Sequence, residues 1–149
     1  MSKSDKIIDI NHNKQVAEKL QKFLADSYAV LIQTQNLHWN IEGKEFYSLH
    51  KLSEDIYTEQ FAAIDEIAER LRALGHKVEV GFDVYNKQSS IKNGATAEAA
   101  IAAQEEAANS ASELVEIAEE NSDVATADLA TQRVQIHQKN AWMLRSQSK

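Results

Sequence analysis

Proline is absent from all 149 residues of this chain and only 4 are glycine, so almost nothing in it removes a backbone donor or loosens a helical ladder. With Ala, Glu, Gln, Leu and Lys abundant, an all-α fold follows. The length suits one domain, which would bury about 70% of its unfolded surface around a single core. Cysteine is also absent, which excludes disulfides, thiolate clusters and cysteine nucleophiles. The 16 basic and 23 acidic residues give a net charge of −7, a balance that attracts cations and repels polyanions at long range. No run approaches the length of an apolar membrane span, and Met1 to Lys6 carry no apolar stretch of the secretory kind. A cytoplasmic protein with no membrane association is therefore expected.

Residues 1–13 are polar and aperiodic and read as a flexible tail, with Asn11, His12 and Asn13 as cap or turn residues; 14–149 read as the folded domain. The first helix is expected over Lys14 to Trp39, on a stripe of Leu20, Leu24, Ser27, Leu31 and Thr34 that continues onto His38. A turn around Gly43 leads into a second helix from Phe46 to Leu74, with Leu49, Leu52, Ile56, Ala63, Ile67 and Leu71 inward. Gly75 suits the left-handed position after its end, and His76 reads as a capping residue beyond it. The stretch 77–95 is a long connection that should contain a short helical turn near Asp83 to Gln88. Thr96 can cap a third long helix to about Glu120, with Ile101, Leu114 and Ile117 inward. A break at Asn121 to Asp123 precedes a fourth, to about Arg145, that buries Val134, Ala141 and Leu144, with His137 as a core histidine. Short, long and short connections describe a four-helix bundle with one crossover, the ferritin-like arrangement. No Glu stands three residues before a His, so a di-iron centre inside the bundle is disfavoured.

Five metal-capable side chains fall close together in this sequence: His38, His50, Glu54, Asp65 and Glu69. His50 and Glu54 are four apart, as are Asp65 and Glu69, so each pair shares a helix face. Along one helix, however, His50 and Asp65 are separated by roughly 22 Å, which no single ion spans. An antiparallel second copy would bring Asp65 and Glu69 opposite His50 and create two equivalent sites per homodimer. Taken singly, each residue has a plainer reading: a core histidine, or a solvated acidic face paired with Arg70 or Arg72. As a set they make a nitrogen and oxygen shell suited to iron, with zinc as the competing ion.

The segments Leu37-His38-Trp39-Asn40, Phe46-Tyr47-Ser48-Leu49-His50 and Asp65-Glu66-Ile67-Ala68-Glu69-Arg70-Leu71 resemble the Dps family of miniferritins, and the resemblance covers nearly the whole chain. The family's ferroxidase spacing is His, twelve residues to His, fifteen to Asp and four to Glu, and each interval recurs here. Glu54 stands where an Asp is common. The resemblance implies a site shared across a dimer, with His38 and His50 from one chain and Asp65 and Glu69 from its mate. It also implies a hollow dodecamer that oxidises Fe(II), preferentially with hydrogen peroxide, stores ferric mineral inside and protects against oxidative stress. Trp39, next to His38, reads either as a core aromatic or as a radical trap. Glu119, Asp123 and Asp128 are candidates for an acidic iron-entry pore, the plainer reading being a solvated turn with an aspartate cap.

DNA binding, which the family name suggests, is not expected to be strong. Lys3, Lys6 and Lys14 are offset by Asp5 and Asp9, and the C-terminus adds only Arg145 and Lys149, so few counterions would be released. The competing readings are a non-enzymatic DNA-compacting assembly of the same fold and a helical interaction module with an acidic surface.

Overall fold

The computed structural model describes residues 13–148, and the expected N-terminal tail, with the roles given to Asn11 and His12, lies outside them except for Asn13. The chain forms α1 (Lys14–Asn40), α2 (Phe46–Ala73), α3 (Phe82–Gln88), α4 (Ala97–Glu120) and α5 (Val124–Gln147). The four long helices are the expected ones, with ends within two residues of those read from periodicity. The short helix of the crossover begins one residue earlier than expected.

Each end has a local cause. At the end of α2, Gly75 takes φ 91°, and His76 N and Gly75 N donate to Leu71 O and Arg72 O at 3.1 and 2.9 Å. This Schellman pair satisfies carbonyls that the helix would leave open. His76 thus caps through its backbone. Between α4 and α5, Ser122 adopts φ 58° and lets Asp123 N reach Ala118 O at 2.8 Å, a left-handed turn made without glycine. Thr96 caps α4, its hydroxyl accepting from Ala99 N at 3.1 Å.

The helices close a ring: α1 packs on α2 and α4, and α5 on α4 and α2. Residues 74–96 run the length of α1. Gln21 bonds Glu79 through both its backbone N–H and its carbonyl near one end, and Gln33 bonds Gly94 O near the other. Between them the buried Asp26 accepts from Lys22, Ser89, Ser90 and Ser110, tying the crossover and α4 to α1. A buried carboxylate persists only with such partners.

The apolar core is built from Leu20, Phe23, Leu24, Leu31, Ile67, Leu71 and Leu114. In α4 the buried stripe is mostly alanine (Ala100, Ala103, Ala107, Ala111, Ala118), whereas Ile101 and Ile117, expected inward, are half-buried. Small residues let the helices approach closely and push bulkier neighbours to the flank. Val134 is likewise half-buried, while the polar Arg133 and His137 beside it are buried.

The bundle interior is polar at this level. Arg133 grips Glu59 through two bonds and donates to Gln60 Oε1 at 2.8 Å; Gln60 donates to Ser27 O. His137, fully buried, bonds Gln104 Oε1 at 2.7 Å through Nδ1. Burial, followed by the Arg133 charge, lowers its pKa to about 3, so the core histidine is neutral. The Arg133 guanidinium thus occupies the bundle centre as an ion pair with Glu59.

Candidate metal centre

The last turns of α1 and the first turns of α2 place His38 and His50 against each other. Their rings stack at 3.8 Å with 11° between planes. Phe46 stacks on the far side of His50 at 4.9 Å, and Tyr57 meets the His38 ring edge-on at 5.1 Å. The two histidines exchange bonds: His38 Nδ1 lies 2.7 Å from His50 O, and His50 Nδ1 lies 2.7 Å from His38 O. A carbonyl can only accept, so each Nδ1 carries hydrogen, and the lone pair of the neutral ring falls on Nε2. That is how a metal-ligating imidazole is prepared, its other nitrogen bound to a fixed acceptor.

Asp65 and Glu69 lie further along α2, both exposed. The side-chain bond with Asp65, and then its charge, raise the Glu69 pKa. Two carboxyls crowded together on a surface are the like-charged arrangement that a cation relieves. Glu54 is half-buried. It does not complete a ligand set with the histidines, for among the described residues no three His, Asp or Glu side chains converge on one point in a single chain. The histidine pair and the carboxylate pair are both present, and one chain keeps them apart.

Trp39 is 65% exposed, so the core-aromatic reading does not hold within this chain: it lies about 100° around α1 from the buried His38. Phe61, between the two pairs on α2, is 70% exposed. Of the pore candidates, Asp123 is already committed. Its Oδ1 accepts from Thr126 N and Arg70 Nη2, both at 3.0 Å, and its Oδ2 from Thr126 Oγ1 at 2.6 Å, the helix cap that was its plainer reading. Glu119 is exposed, and so is Asp128, whose carboxylate takes a bond from Gln132. Sequence reasoning missed Phe46, Tyr57 and the fully buried Ser53, which surround the histidine pair. Ser53 left a trace, a hydroxyl on the inward stripe of α2 three residues after His50.

Residues 17–149 match the ferritin-like domain family. Over 141 residues the chain is 38% identical to DNA protection during starvation protein 2 of Bacillus anthracis, covering 90% of this chain and 97% of that protein. Among solved structures it superimposes on the Dps protein of Vibrio cholerae O1, described as one of the ferritin-like diiron-carboxylate proteins, with a TM-score of 0.89, 29% identity and coverage of 95% and 94% of the two chains. For Dps of Thermosynechococcus elongatus the TM-score is 0.86 at 32% identity, covering 91% of each. With the family's fold and its histidine and carboxylate intervals both in place, the chain belongs to the ferritin-like family as a Dps-type miniferritin.

Proposed function

We propose that this protein stores and detoxifies iron, oxidising Fe(II) at sites that two subunits build together. The observation that carries the reading is the split arrangement: two stacked imidazoles held at Nδ1 where α1 meets α2, and an exposed carboxylate pair roughly 22 Å away along the same helix. In an antiparallel pair of α2 helices, His50 of one chain faces Asp65 and Glu69 of the other, and the two-fold axis falls between Tyr57 and Gln60, within one turn of Phe61. An exposed phenyl ring at that point favours being covered, by about 2 kcal/mol for full burial. Kinship with the ferritin-like diiron-carboxylate proteins supports iron as the ion, with zinc able to occupy the same donors.

Fe(II) is the substrate. His38 and His50 supply neutral nitrogen, and Asp65 and Glu69 supply hard anionic oxygen that favours Fe(III) more than Fe(II) and so makes the electron easier to lose. Glu54, one methylene longer than the family's common residue, is proposed as an outer ligand to a second ion. With hydrogen peroxide as oxidant, two Fe(II) each lose one electron, and peroxide takes both together with two protons and leaves as water. Paired oxidation avoids releasing a one-electron radical. Trp39, next to His38 in sequence and exposed, is the proposed donor that quenches radicals which escape. The net charge of −7 draws Fe(II) toward the assembly, a dodecamer on this reading, with Glu119 and Asp128 as entry residues.

The experiment is anaerobic loading of the purified protein with Fe(II) followed by peroxide, with Fe(III) formation and iron retention recorded. Wild type should oxidise and retain the iron, and His38→Ala and Asp65→Ala should not. Variants as fast as wild type would remove the site assignment.

A further inference from the structure

We propose that Ser53 is a positioning residue for the histidine pair, holding the His38 ring so that Nε2 is the nitrogen presented to a metal ion. The proposal rests on the reading of His38 as a ligand and adds what keeps that ligand aimed.

Ser53 is fully buried on the inward stripe of α2, where an apolar side chain would pack without cost and a hydroxyl needs partners. Its partners are two atoms of the histidine pair. Ser53 Oγ donates to His50 O at 3.1 Å and lies 3.2 Å from His38 Nδ1. The directions close without conflict. His38 Nδ1 must carry its hydrogen because His50 O, 2.7 Å away, only accepts. Ser53 Oγ, having given its hydrogen to the same carbonyl, offers a lone pair to that N–H. His38 Nδ1–H thus points between two acceptors, one of them a side chain.

The second acceptor defines the ring orientation. Turning the imidazole over by half a rotation would put a carbon where Nδ1 stands, and a carbon-bound hydrogen satisfies neither oxygen well. With one acceptor the ring loses one bond on turning; with two it loses both, so Nε2 stays where it was. Other buried hydroxyls in this bundle lack this relation: Ser27 and Thr34 donate to Phe23 O and Val30 O of their own helix, at 2.7 and 2.6 Å.

The test uses the full-length assembled protein, free of metal and labelled with nitrogen-15 at histidine. Solid-state spectra report which ring nitrogen carries hydrogen, and His38→Ala identifies the His38 signals. Ser53→Ala should broaden or split those signals toward mixed ring forms. It should also weaken Co(II) binding, a redox-silent probe, by about tenfold, the lower end for loss of an outer partner of a metal ligand. Ser27→Ala, which deletes an equally buried hydroxyl, should do neither. Unchanged His38 signals in Ser53→Ala, or equal effects in Ser27→Ala, would overturn the proposal. Altered signals in Ser53→Ala, with Co(II) binding that His38→Ala leaves intact, would support the hold of Ser53 on the ring and remove the ligand assignment instead.

Discussion

His137 and His38 both lie on inward faces of long helices and both are buried, yet one is closed and the other open. His137 sits in the bundle centre among Gln104, Asn140 and Arg133, and its pKa of about 3 keeps it neutral. His38 sits at the bundle rim, its Nδ1 held by His50 O and its ring stacked on His50. The difference is one of commitment. Polar groups of the central layer bond mainly to one another and are closed off from outside, so that His137 Nε2, Gln104 Nε2 and Arg133 Nε are enclosed without partners, whereas the histidines of the α1–α2 face are fastened at Nδ1 near the edge of the bundle. The same contrast separates Asp123, used by Arg70 and Thr126, from the exposed Asp65 and Glu69.

The sharpest way to break this comparison is to mix subunits. His38→Ala and Asp65→Ala should each reduce peroxide-driven iron oxidation by more than about a hundredfold, exceeding the loss that outer-shell partners give. Co-assembled from separated subunits, the two variants should regain activity, since a hybrid dimer has one complete site. Recovery that fails in verified hybrids would mean that the two halves do not meet across a dimer.

His137→Ala should do the reverse, leaving oxidation per folded protein unchanged and costing about 3 kcal/mol of stability, because it opens a cavity and leaves Gln104 Oε1 with only the longer bond from Asn140. Denaturant midpoints at fixed protein concentration measure this, and a small cost would show that the central layer is less committed than its geometry suggests. The same histidine predicts a pH slope. Its folded pKa of about 3 lies below the ordinary 6.5, so between these values the unfolded chain holds a proton that the folded chain refuses. Stability from this group is intact above pH 6.5 and falls as the solution is acidified toward pH 3, by at most about 1.4 kcal/mol per pH unit. His137→Leu should flatten that slope relative to wild type. A parallel pair of pH curves would assign the acid sensitivity elsewhere.

Smaller effects test the aspartates. Asp123→Ala should destabilise by about 1 to 2 kcal/mol through loss of the α5 cap, and Asp128→Ala by less than about 0.5 kcal/mol. If Asp128 serves iron entry, its variant should slow mineral growth while leaving the thermal midpoint in place. Equal thermal shifts in the two variants would remove the distinction between them.

Helix positions were legible because leucine, isoleucine and alanine recur at helical intervals and because Gly75 and Thr96 mark ends by stereochemistry. The separation of the histidine pair from Asp65 and Glu69 was legible for the same reason, since rise per residue turns spacing into distance. The central layer was not. Arg133, Gln60 and Gln104 are polar residues in buried positions, and their partners lie 73, 73 and 33 residues away, beyond any local pattern. The exposure of Trp39 was not legible, because an aromatic ring beside an inward histidine suits a core as well as a surface, although neighbouring helix positions point about 100° apart. Ser53 was passed over because a lone serine carries no periodicity.

The reciprocal bonds between His38 and His50 also bear on the order of events in the life of the molecule. They join the end of α1 to the start of α2, a hairpin of short sequence separation, and such local contacts form early in folding. The histidine pair is therefore shaped within each newly made chain, while on the proposed function the carboxylates that it needs arrive only with a second chain. On this reading a lone subunit is catalytically silent. The proposed function thus couples the start of iron oxidation to assembly, the moment at which a partner becomes present.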